Sequence, residues 1–244
     1  MMDGLIFGLT DNGVLLICMY MGIGIDQWIQ KIIYGESQGG LLGAVLGATF
    51  GNTISDIIKK YTPLIKKNNI LKHFNLLKKN YFLITLHRPE TVDNPKKLNK
   101  LILYFEKIGK KFDTKFLFPV HPRTKKIIKK LNIKKLKFIM FTKPLKFIDF
   151  LTFIQNCRII FTDSGGIQEE SSLLGVPCIT IRTSTERQLS IKQKSNILTG
   201  YDYKKILKAT TYFNKKKIKP SKVFGDGYVS NKVFKSLKKI DKNL

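Results

Sequence analysis

One short polar segment, Asp163-Ser164-Gly165-Gly166, has the composition of an anion-binding turn. An apolar run precedes it and an amphipathic stretch follows it, so it should stand where a strand leads into a helix. Backbone N–H groups at the start of a helix have no partners within that helix, and glycines allow an anion to approach them closely. We therefore predict that Ser164, Gly165 and Gly166 form a phosphate cradle.

Charged side chains follow this cradle along the sequence. Glu169 and Glu170 fall in the first turns of the expected helix, where a carboxylate could accept hydrogen bonds from two sugar hydroxyls. The alternative role is electrostatic, because acidic residues near a helix N-terminus stabilise the helix dipole. Further on, the segment from Arg182 to Arg187 concentrates hydroxyl and guanidinium groups that suit a phosphate or a carboxylate.

Two of the three histidines, His87 and His121, end apolar runs and are each followed by an arginine within two positions. If these runs are parallel strands, both histidines lie at the sheet edge that carries the cradle. This placement predicts ligand contact by His87, Arg88 and His121, with a purely structural role as the alternative. Neither the spacing nor the neighbouring residues suggest zinc, and no metal site is predicted.

From residue 81 onward, short apolar runs alternate with longer amphipathic stretches, which is the pattern of βα units on a parallel sheet. Strands are predicted at Tyr81–Leu86, Lys115–Val120, Lys137–Met140, Arg158–Thr162 and Cys178–Ile181. Helices are predicted at Asn94–Lys110, Arg123–Leu131, Leu145–Asn156, Gly166–Leu174, Tyr203–Phe213 and Ser230–Ile240. The expected fold class is α/β, with a single Rossmann-like parallel sheet preceded by a helical hairpin.

Charge divides the chain near residue 58. Residues 1–58 carry a formal net charge of −4, and residues 59–244 carry +31. We predict a glycine-rich helical hairpin over 1–58, a basic linker over 59–80 and a ligand-binding Rossmann-like domain over 81–244.

The hairpin has two stretches, Leu5–Ile25 and Gly39–Ile58, that are long enough and apolar enough to cross a bilayer. The second repeats small residues every four positions, which is typical of closely packed membrane helices. Lysines follow at once, so the remainder of the chain is expected in the cytoplasm, anchored to the inner membrane through residues 5–58. A pair of buried soluble helices and a signal sequence are the alternatives, and Asp11 within the first stretch argues against a membrane span.

The overall composition restricts the partners. Hydrophobic residues make up 43% of the 244 residues, which is too many for a disordered polycation despite a net charge of +27. Nucleic acid is not an expected partner, since base-reading proteins depend on arginine and the basic residues here are almost all lysine. The three cysteines form neither a CxxC pair nor an even framework, so a reduced interior is expected.

Six segments in this order resemble the non-hydrolysing bacterial UDP-N-acetylglucosamine 2-epimerase family. The segments are LHRPETVDNP, PVHPRT, KPLKFIDFL, TDSGGIQEES, GVPCITIRTSTER and SNILTG followed by GDG. They cover roughly residues 80–240. Enzymes of that family have two Rossmann-like domains in a GT-B arrangement with the nucleotide sugar between them, and the part that is similar here resembles the second domain.

The resemblance implies roles for individual residues. Ser164, Gly165 and Gly166 would hold the diphosphate of UDP-N-acetylglucosamine, and Glu170 would bind the ribose hydroxyls. His87, assigned to catalysis, and Arg187 would contact the phosphates, while Arg88 and His121 complete the substrate contacts. The stretch from Pro144 to Phe147 would lie beside the uracil.

The family reaction removes the proton at sugar C2, eliminates UDP and re-adds it after protonation from the other face, with no metal or redox cofactor. The sequence departs from the family pattern at Gln188-Leu189 and at Lys194, where a glycine is usual. No match to the family's first domain is apparent. We therefore expect UDP binding but little epimerisation unless a homo-oligomer or a partner chain completes the cleft.

Two other functions remain open at this point. A GT-B glycosyltransferase donor domain would use a similar diphosphate cradle, although LHRPE and TSTER would not be expected together in it. A membrane protein whose Rossmann-like domain is a non-catalytic, UDP-binding remnant is the other alternative.

Overall fold

The computed structural model describes residues 54–131, 133 and 136–228. The chain divides into two compact units, Met1–Lys59 with Gly225–Leu244, and Lys60–Phe224. Residues 54–67 are helical. The second unit carries the sheet and is the subject of the description that follows.

Six parallel strands form the sheet in the order β3-β2-β1-β4-β5-β6. Their bounds are β1 Tyr81–Thr85, β2 Lys115–Pro119, β3 Ile139–Thr142, β4 Ile159–Thr162, β5 Cys178–Thr180 and β6 Asn196–Leu198. β1 pairs with both β2 and β4, and β4 follows β1 in the sheet although β2 follows it in the chain. The strand order therefore reverses between β1 and β4, the position at which open α/β sheets bind ligands.

Helices connect the strands. Their bounds are α1 Ile70–His73, α2 Pro89–Val92, α3 Pro95–Phe112, α4 Pro122–Ile128, α5 Phe147–Asn156, α6 Gly165–Leu174, α7 Gln188–Lys192 and α8 Tyr203–Asn214. Local chemistry sets their limits. For example, the Asn94 side chain accepts a hydrogen bond from Lys97 N at the start of α3, and Pro95 occupies the first helical position.

The sheet has an apolar core on each face. Along β1, Phe82 and Ile84 face one cluster with the apolar sides of α3 and α8. Tyr81 and Leu83 face the other cluster with α5 and Ile167 of α6. Alternating residues of one strand point to opposite faces, and both faces are covered, so β1 is buried along its whole length.

Both ends of each of the five predicted strands lie within two residues of the ends that the structure gives. β6 was missed because its three residues include only two apolar ones, and α2 and α7 were missed because each is a short helix of four or five residues. The predicted helix Ser230–Ile240, the stretch Leu5–Ile25 and nearly all of Gly39–Ile58 lie outside the described residues. Among the helices of the described residues, none is both long and apolar enough to cross a membrane.

Gly175 ends α6 in the left-handed conformation, with φ +67°, and a Cβ built there would lie 2.7 Å from Pro220. Gly200 has a similar φ of +62°, but its Cβ would meet nothing closer than 3.8 Å. Both Gly→Ala variants incur a left-handed penalty of about 1–2 kcal/mol. We predict that Gly175→Ala lowers the free energy of unfolding by about 1 kcal/mol more than Gly200→Ala, measured by urea denaturation. Equal losses would contradict the close contact with Pro220.

Candidate functional site

The candidate site lies at the carboxyl ends of three neighbouring strands, β2, β1 and β4. His121 follows β2, His87 and Arg88 follow β1, and Ser164 follows β4 as the N-cap residue of α6. The topology therefore brings the two histidines and the predicted cradle to one edge of the sheet.

Asp163 joins the ends of β1 and β4. Its carboxylate has no exposed surface and accepts hydrogen bonds from His87 N at 3.1–3.2 Å and from Arg88 N at 3.0 Å. His87 Nδ1 lies 3.3 Å from Asp163 Oδ1. Burial raises the pKa of Asp163, although the His87 ring, the two backbone N–H groups and the Thr91 side chain oppose that rise.

The two histidines face each other with ring centroids 5.7 Å apart. His121 Nδ1 accepts a hydrogen bond from Arg123 N at 3.2 Å, which requires an unprotonated nitrogen there. Burial lowers the pKa of His121, and the nearby His87 and Arg123 lower it further, while Asp163 opposes them. The Asp93 carboxylate forms a bidentate ion pair with the Arg123 side chain. Arg123 is also the residue whose backbone N–H donates to His121.

The start of α6 is close-packed on one side. A Cβ added at Gly165 would lie 2.9 Å from Glu186 Oε1 and 3.8 Å from the guanidinium carbon of Arg187. At Gly166 the nearest atom to such a Cβ would be Ser164 Oγ at 3.9 Å, so the helix start is open there. The cradle therefore has Arg187 beside it, as a diphosphate site requires.

A buried network of polar side chains positions Arg187. Gln168 Nε2 donates to Ser164 O, and Gln168 Oε1 accepts from Thr185 Oγ1 and from Asn196 Nδ2. Thr185 Oγ1 in turn accepts from Arg187 N at 3.1 Å. Gln168 therefore links the first residue of the cradle to the segment that carries Arg187.

Glu169 and Glu170 differ in their surroundings. Glu169 is buried and forms an ion pair with Arg187 Nε, and burial raises its pKa although Arg187 opposes the rise. Glu170 is 6% exposed, and its Oε2 atom is buried with no hydrogen-bond partner within the described residues. Burial, with a contribution from Glu169, raises the pKa of Glu170 to about 8. Glu169 Oε2 also lacks a hydrogen-bond partner within the described residues, but the other oxygen of Glu169 has the Arg187 cation beside it. A buried carboxyl oxygen without a partner is costly, so Glu170 is the stronger candidate for a ligand contact.

Glu186 lies among arginines at the rim of the cradle. Its Oε2 atom accepts from Arg182 Nη1 at 3.2 Å, and its Oε1 atom is 4.0 Å from Arg88 Nη2. Partial burial raises the pKa of Glu186, but its backbone N–H and the cations Arg182, Arg187 and Arg88 lower it on balance. The guanidinium groups of Arg88 and Arg182 thus lie around the Glu186 carboxylate, and that of Arg187 lies beside Gly165.

Pro144 and Phe147 lie elsewhere on this edge of the sheet. Both follow β3, the edge strand, which β2 and β1 separate from β4. Pro144 is exposed, and the Phe147 ring packs edge-on against Tyr61 at 5.7 Å. The structure brings the histidines and the cradle together and places these two residues farther along the row of strand ends.

Lys194 has φ +57°, in the left-handed region that favours glycine. This residue ends the turn after α7, where Lys194 N donates to Ile191 O at 2.8 Å. The lysine therefore occupies a backbone conformation for which the glycine usual in the resembling family is better suited.

Sequence reasoning assigned no role to Asp163, Gln168, Thr185 or Asn196. Asp163 stands inside the motif that was singled out, but a hydrogen bond to the end of another strand has no local signal. Gln168, Thr185 and Asn196 come from three elements that are adjacent only after folding. A polar residue inside an apolar helix face, as at Gln168, is the signal that could have indicated a buried network.

Known proteins resemble this chain over most of its length. The family model for UDP-N-acetylglucosamine 2-epimerase matches residues 48–238. The match extends upstream of the motifs, into the basic segment 59–80 and the last residues of Gly39–Ile58.

Three curated relatives illustrate the similarity. A UDP-N-acetylglucosamine 2-epimerase of Methanocaldococcus jannaschii is 37% identical over 192 residues, which are 76% of this chain and 52% of that protein. One of Methanococcus maripaludis is 39% identical over 182 residues, 72% of this chain and 50% of that protein. A UDP-2,3-diacetamido-2,3-dideoxy-D-glucuronate 2-epimerase of Pseudomonas aeruginosa is 29% identical over 161 residues, 66% of this chain and 45% of that protein. The chain spans about half the length of the curated relatives it matches.

The crystal structure of the M. jannaschii UDP-GlcNAc 2-epimerase in complex with UDP-GlcNAc and UDP superimposes with a TM-score of 0.70 at 36% identity. The superposition covers 77% of this chain and 53% of that one. The predicted Rossmann-like α/β domain, one half of a GT-B fold, is confirmed.

Glu170 should make stability depend on pH. Its pKa is about 8 in the folded chain against an ordinary value of 4.5, so the folded state holds the proton more tightly than the unfolded state. Its contribution to the free energy of unfolding therefore falls as the pH rises from about 4.5 to about 8. We predict that Glu170→Gln gains stability relative to the wild type across this interval, by about 1 kcal/mol or more, in urea denaturation at successive pH values. Parallel pH profiles for the two proteins would contradict the burial of this carboxyl group.

Proposed function

The chain belongs to the UDP-N-acetylglucosamine 2-epimerase family, and from this premise we propose that it binds the UDP part of a UDP-N-acetylhexosamine. The binding site is the row of strand ends after β2, β1 and β4. The observation that carries this proposal is the guanidinium group of Arg187 beside Gly165, at the glycine-rich start of α6.

The diphosphate is assigned to the helix start. N–H groups at the N-terminus of α6 have no partners inside the helix, and the helix dipole favours an anion there. Arg187 adds positive charge beside Gly165, Arg88 lies near Glu186 at the same rim, and His87 stands at the end of the adjacent strand. A charge-assisted hydrogen bond is about twice as strong as a neutral one, so these groups supply most of the affinity.

The ribose is assigned to Glu170. Its carboxyl group is buried within the second turn of α6 and has an oxygen without a partner in the described part of the chain. Two adjacent hydroxyls of a ribose would satisfy that oxygen and remove the cost of leaving it unpaired. The same reasoning favours a nucleoside diphosphate over inorganic phosphate as the ligand.

We propose that the reaction is 2-epimerisation of UDP-N-acetylglucosamine, in which the C2 proton is removed as UDP leaves, and UDP is re-added after C2 has been protonated from the other face. Apart from Glu170, which is assigned to the ribose, the carboxylates described near the cradle have partners: Asp163 holds the backbone at 87–88, Glu169 pairs with Arg187 and Glu186 pairs with Arg182. The described domain is therefore assigned to binding UDP and stabilising it as it departs. Proton transfer at C2 is assigned to groups outside that domain, whether on this chain, on a second copy or on a partner chain.

UDP binding by the whole chain tests this proposal by calorimetry. Above about pH 8, where the Glu170 carboxyl group is ionised, Glu170→Gln and Arg187→Ala should each weaken UDP binding about tenfold to a hundredfold, because each variant loses a charge-assisted contact worth about 1.5–3 kcal/mol. UDP should bind more tightly than uridine, since the diphosphate makes the contacts with the helix start.

Two variants away from the site serve as matched controls, one at the opposite ends of the strands and one on helix α3. Arg158→Ala removes an arginine that precedes β4 and bonds to Lys79 O and Asn214. Glu106→Gln alters a carboxylate of α3 that accepts from Lys137 N and Phe138 N. Both should retain wild-type UDP affinity. Equal affinity in all five proteins would refute the site, and so would uridine binding as tightly as UDP.

We also propose that residues 5–58 attach the chain to a membrane, with the domain that follows on the cytoplasmic side. This rests on the apolar stretches Leu5–Ile25 and Gly39–Ile58 and on the lysines that follow them. In cell fractionation, the whole chain should stay with the membrane pellet after washing with high salt and with carbonate. Release into the supernatant by either wash would exclude a spanning segment.

A further inference from the structure

We propose that Asp163 is a positioning residue that fixes His87 and Arg88 in the geometry that the ligand meets. This rests on the proposed function for the identity of the ligand, but the geometry of the residue stands independently of it. The Asp163 carboxylate accepts hydrogen bonds from His87 N–H and Arg88 N–H of the neighbouring strand end, and its Oδ1 atom lies 3.3 Å from His87 Nδ1.

The backbone on both sides of Asp163 is itself held by hydrogen bonds. Asp163 N donates to Thr85 O at 3.2 Å, so its backbone is tied to β1. Thr85 Oγ1 donates to Thr162 Oγ1 at 2.6 Å, and Ser164 N donates to Thr162 Oγ1 at 3.0 Å. A carboxylate with no exposed surface, held by its own neighbours, has little freedom to point elsewhere.

The contact with His87 determines which ring nitrogen meets the ligand. An ionised carboxylate can only accept hydrogen bonds, so the 3.3 Å separation of His87 Nδ1 and Asp163 Oδ1 favours the ring tautomer that carries its hydrogen on Nδ1. Nε2 then faces away from Asp163, on a ring whose side chain is 39% exposed. In either charge state of the ring, Nε2 is the atom that a ligand in the cradle would contact.

His121 is held in the opposite way. Its Nδ1 accepts from Arg123 N at 3.2 Å, so in the neutral ring the hydrogen is on Nε2. Two histidines whose rings are 5.7 Å apart thus have opposite tautomers, each fixed by a different partner.

The tautomers can be measured on the whole chain in solution. The chain has three histidines, so ¹⁵N-histidine labelling with long-range ¹H–¹⁵N correlation spectra gives three ring systems, and His73→Gln assigns the exposed one. At a pH where the rings are neutral, we expect the Nδ1–H tautomer for His87 and the Nε2–H tautomer for His121. The Nε2–H tautomer at His87 in the wild-type chain would overturn the proposal without any variant.

Asp163→Asn then tests the positioning. Asparagine replaces one acceptor oxygen by an N–H donor that can face His87 Nδ1, so His87 should shift toward the Nε2–H tautomer. UDP affinity should fall about tenfold to a hundredfold. In a His87→Ala background, the part of that loss that acts through the imidazole ring should disappear, and the part that acts through Arg88 N should remain.

Asp113→Asn is the matched control. Asp113 follows α3 at the opposite edge of the sheet, and its left-handed backbone conformation is one that asparagine also adopts. It should change neither the tautomer nor the UDP affinity. If Asp163→Asn lowers the melting temperature but leaves the His87 tautomer and the UDP affinity unchanged, Asp163 is only structural and the proposal fails. If the wild-type chain shows the expected tautomers but does not bind UDP, the proposed function fails and the positioning of His87 stands.

Discussion

Between β1 and β4, a carboxylate with no exposed surface accepts hydrogen bonds from the backbone of the neighbouring strand's end. Asp163 can do this because parallel pairing of β1 with β4 brings Thr85 opposite Thr162, which places the residues after both strands side by side. The reversal of strand order at this position leaves the space above these ends free of a covering connection. The histidine, the arginine and the start of α6 are all located by this one juxtaposition.

A second buried hydrogen-bond network fixes the residues on the other side of the cradle. Gln168 joins Ser164, Thr185 and Asn196, residues that belong to three separate elements. Each of these polar groups has a hydrogen-bond partner inside the protein. The network can therefore be rigid, without the free-energy cost of burying an unpaired polar group. Arg187 is therefore presented to the helix start by a fixed scaffold, and Glu170 is left with an oxygen that has no partner in the described domain. Rigid cations beside an unsatisfied carboxyl suit a ligand that carries both phosphates and hydroxyls.

Sequence patterns predicted the parallel sheet because βα alternation depends on local apolar periodicity, which is legible along the chain. They also predicted the junction of β4 and α6 at residues 163–166, since glycines between an apolar run and an amphipathic stretch indicate such a turn, and its role as a phosphate cradle stays a prediction. They did not predict the roles of Asp163 and Gln168. The partners of these residues are 75 and 17 positions away along the chain, so their hydrogen bonds arise only from the tertiary fold. β6 was missed for a related reason, because it has only two apolar residues and is a strand through its pairing with β5.

The central claim is that a diphosphate binds at the backbone N–H groups that open α6. Titration of the ¹⁵N-labelled chain with UDP, followed through the amide signals of Gly165 and Gly166, tests this directly. We expect the signals of these two glycines to shift more than any other amide signals, with shift changes that saturate along the same curve as the binding isotherm. Saturable UDP binding that leaves both glycine signals in place, while amides elsewhere move, would contradict it.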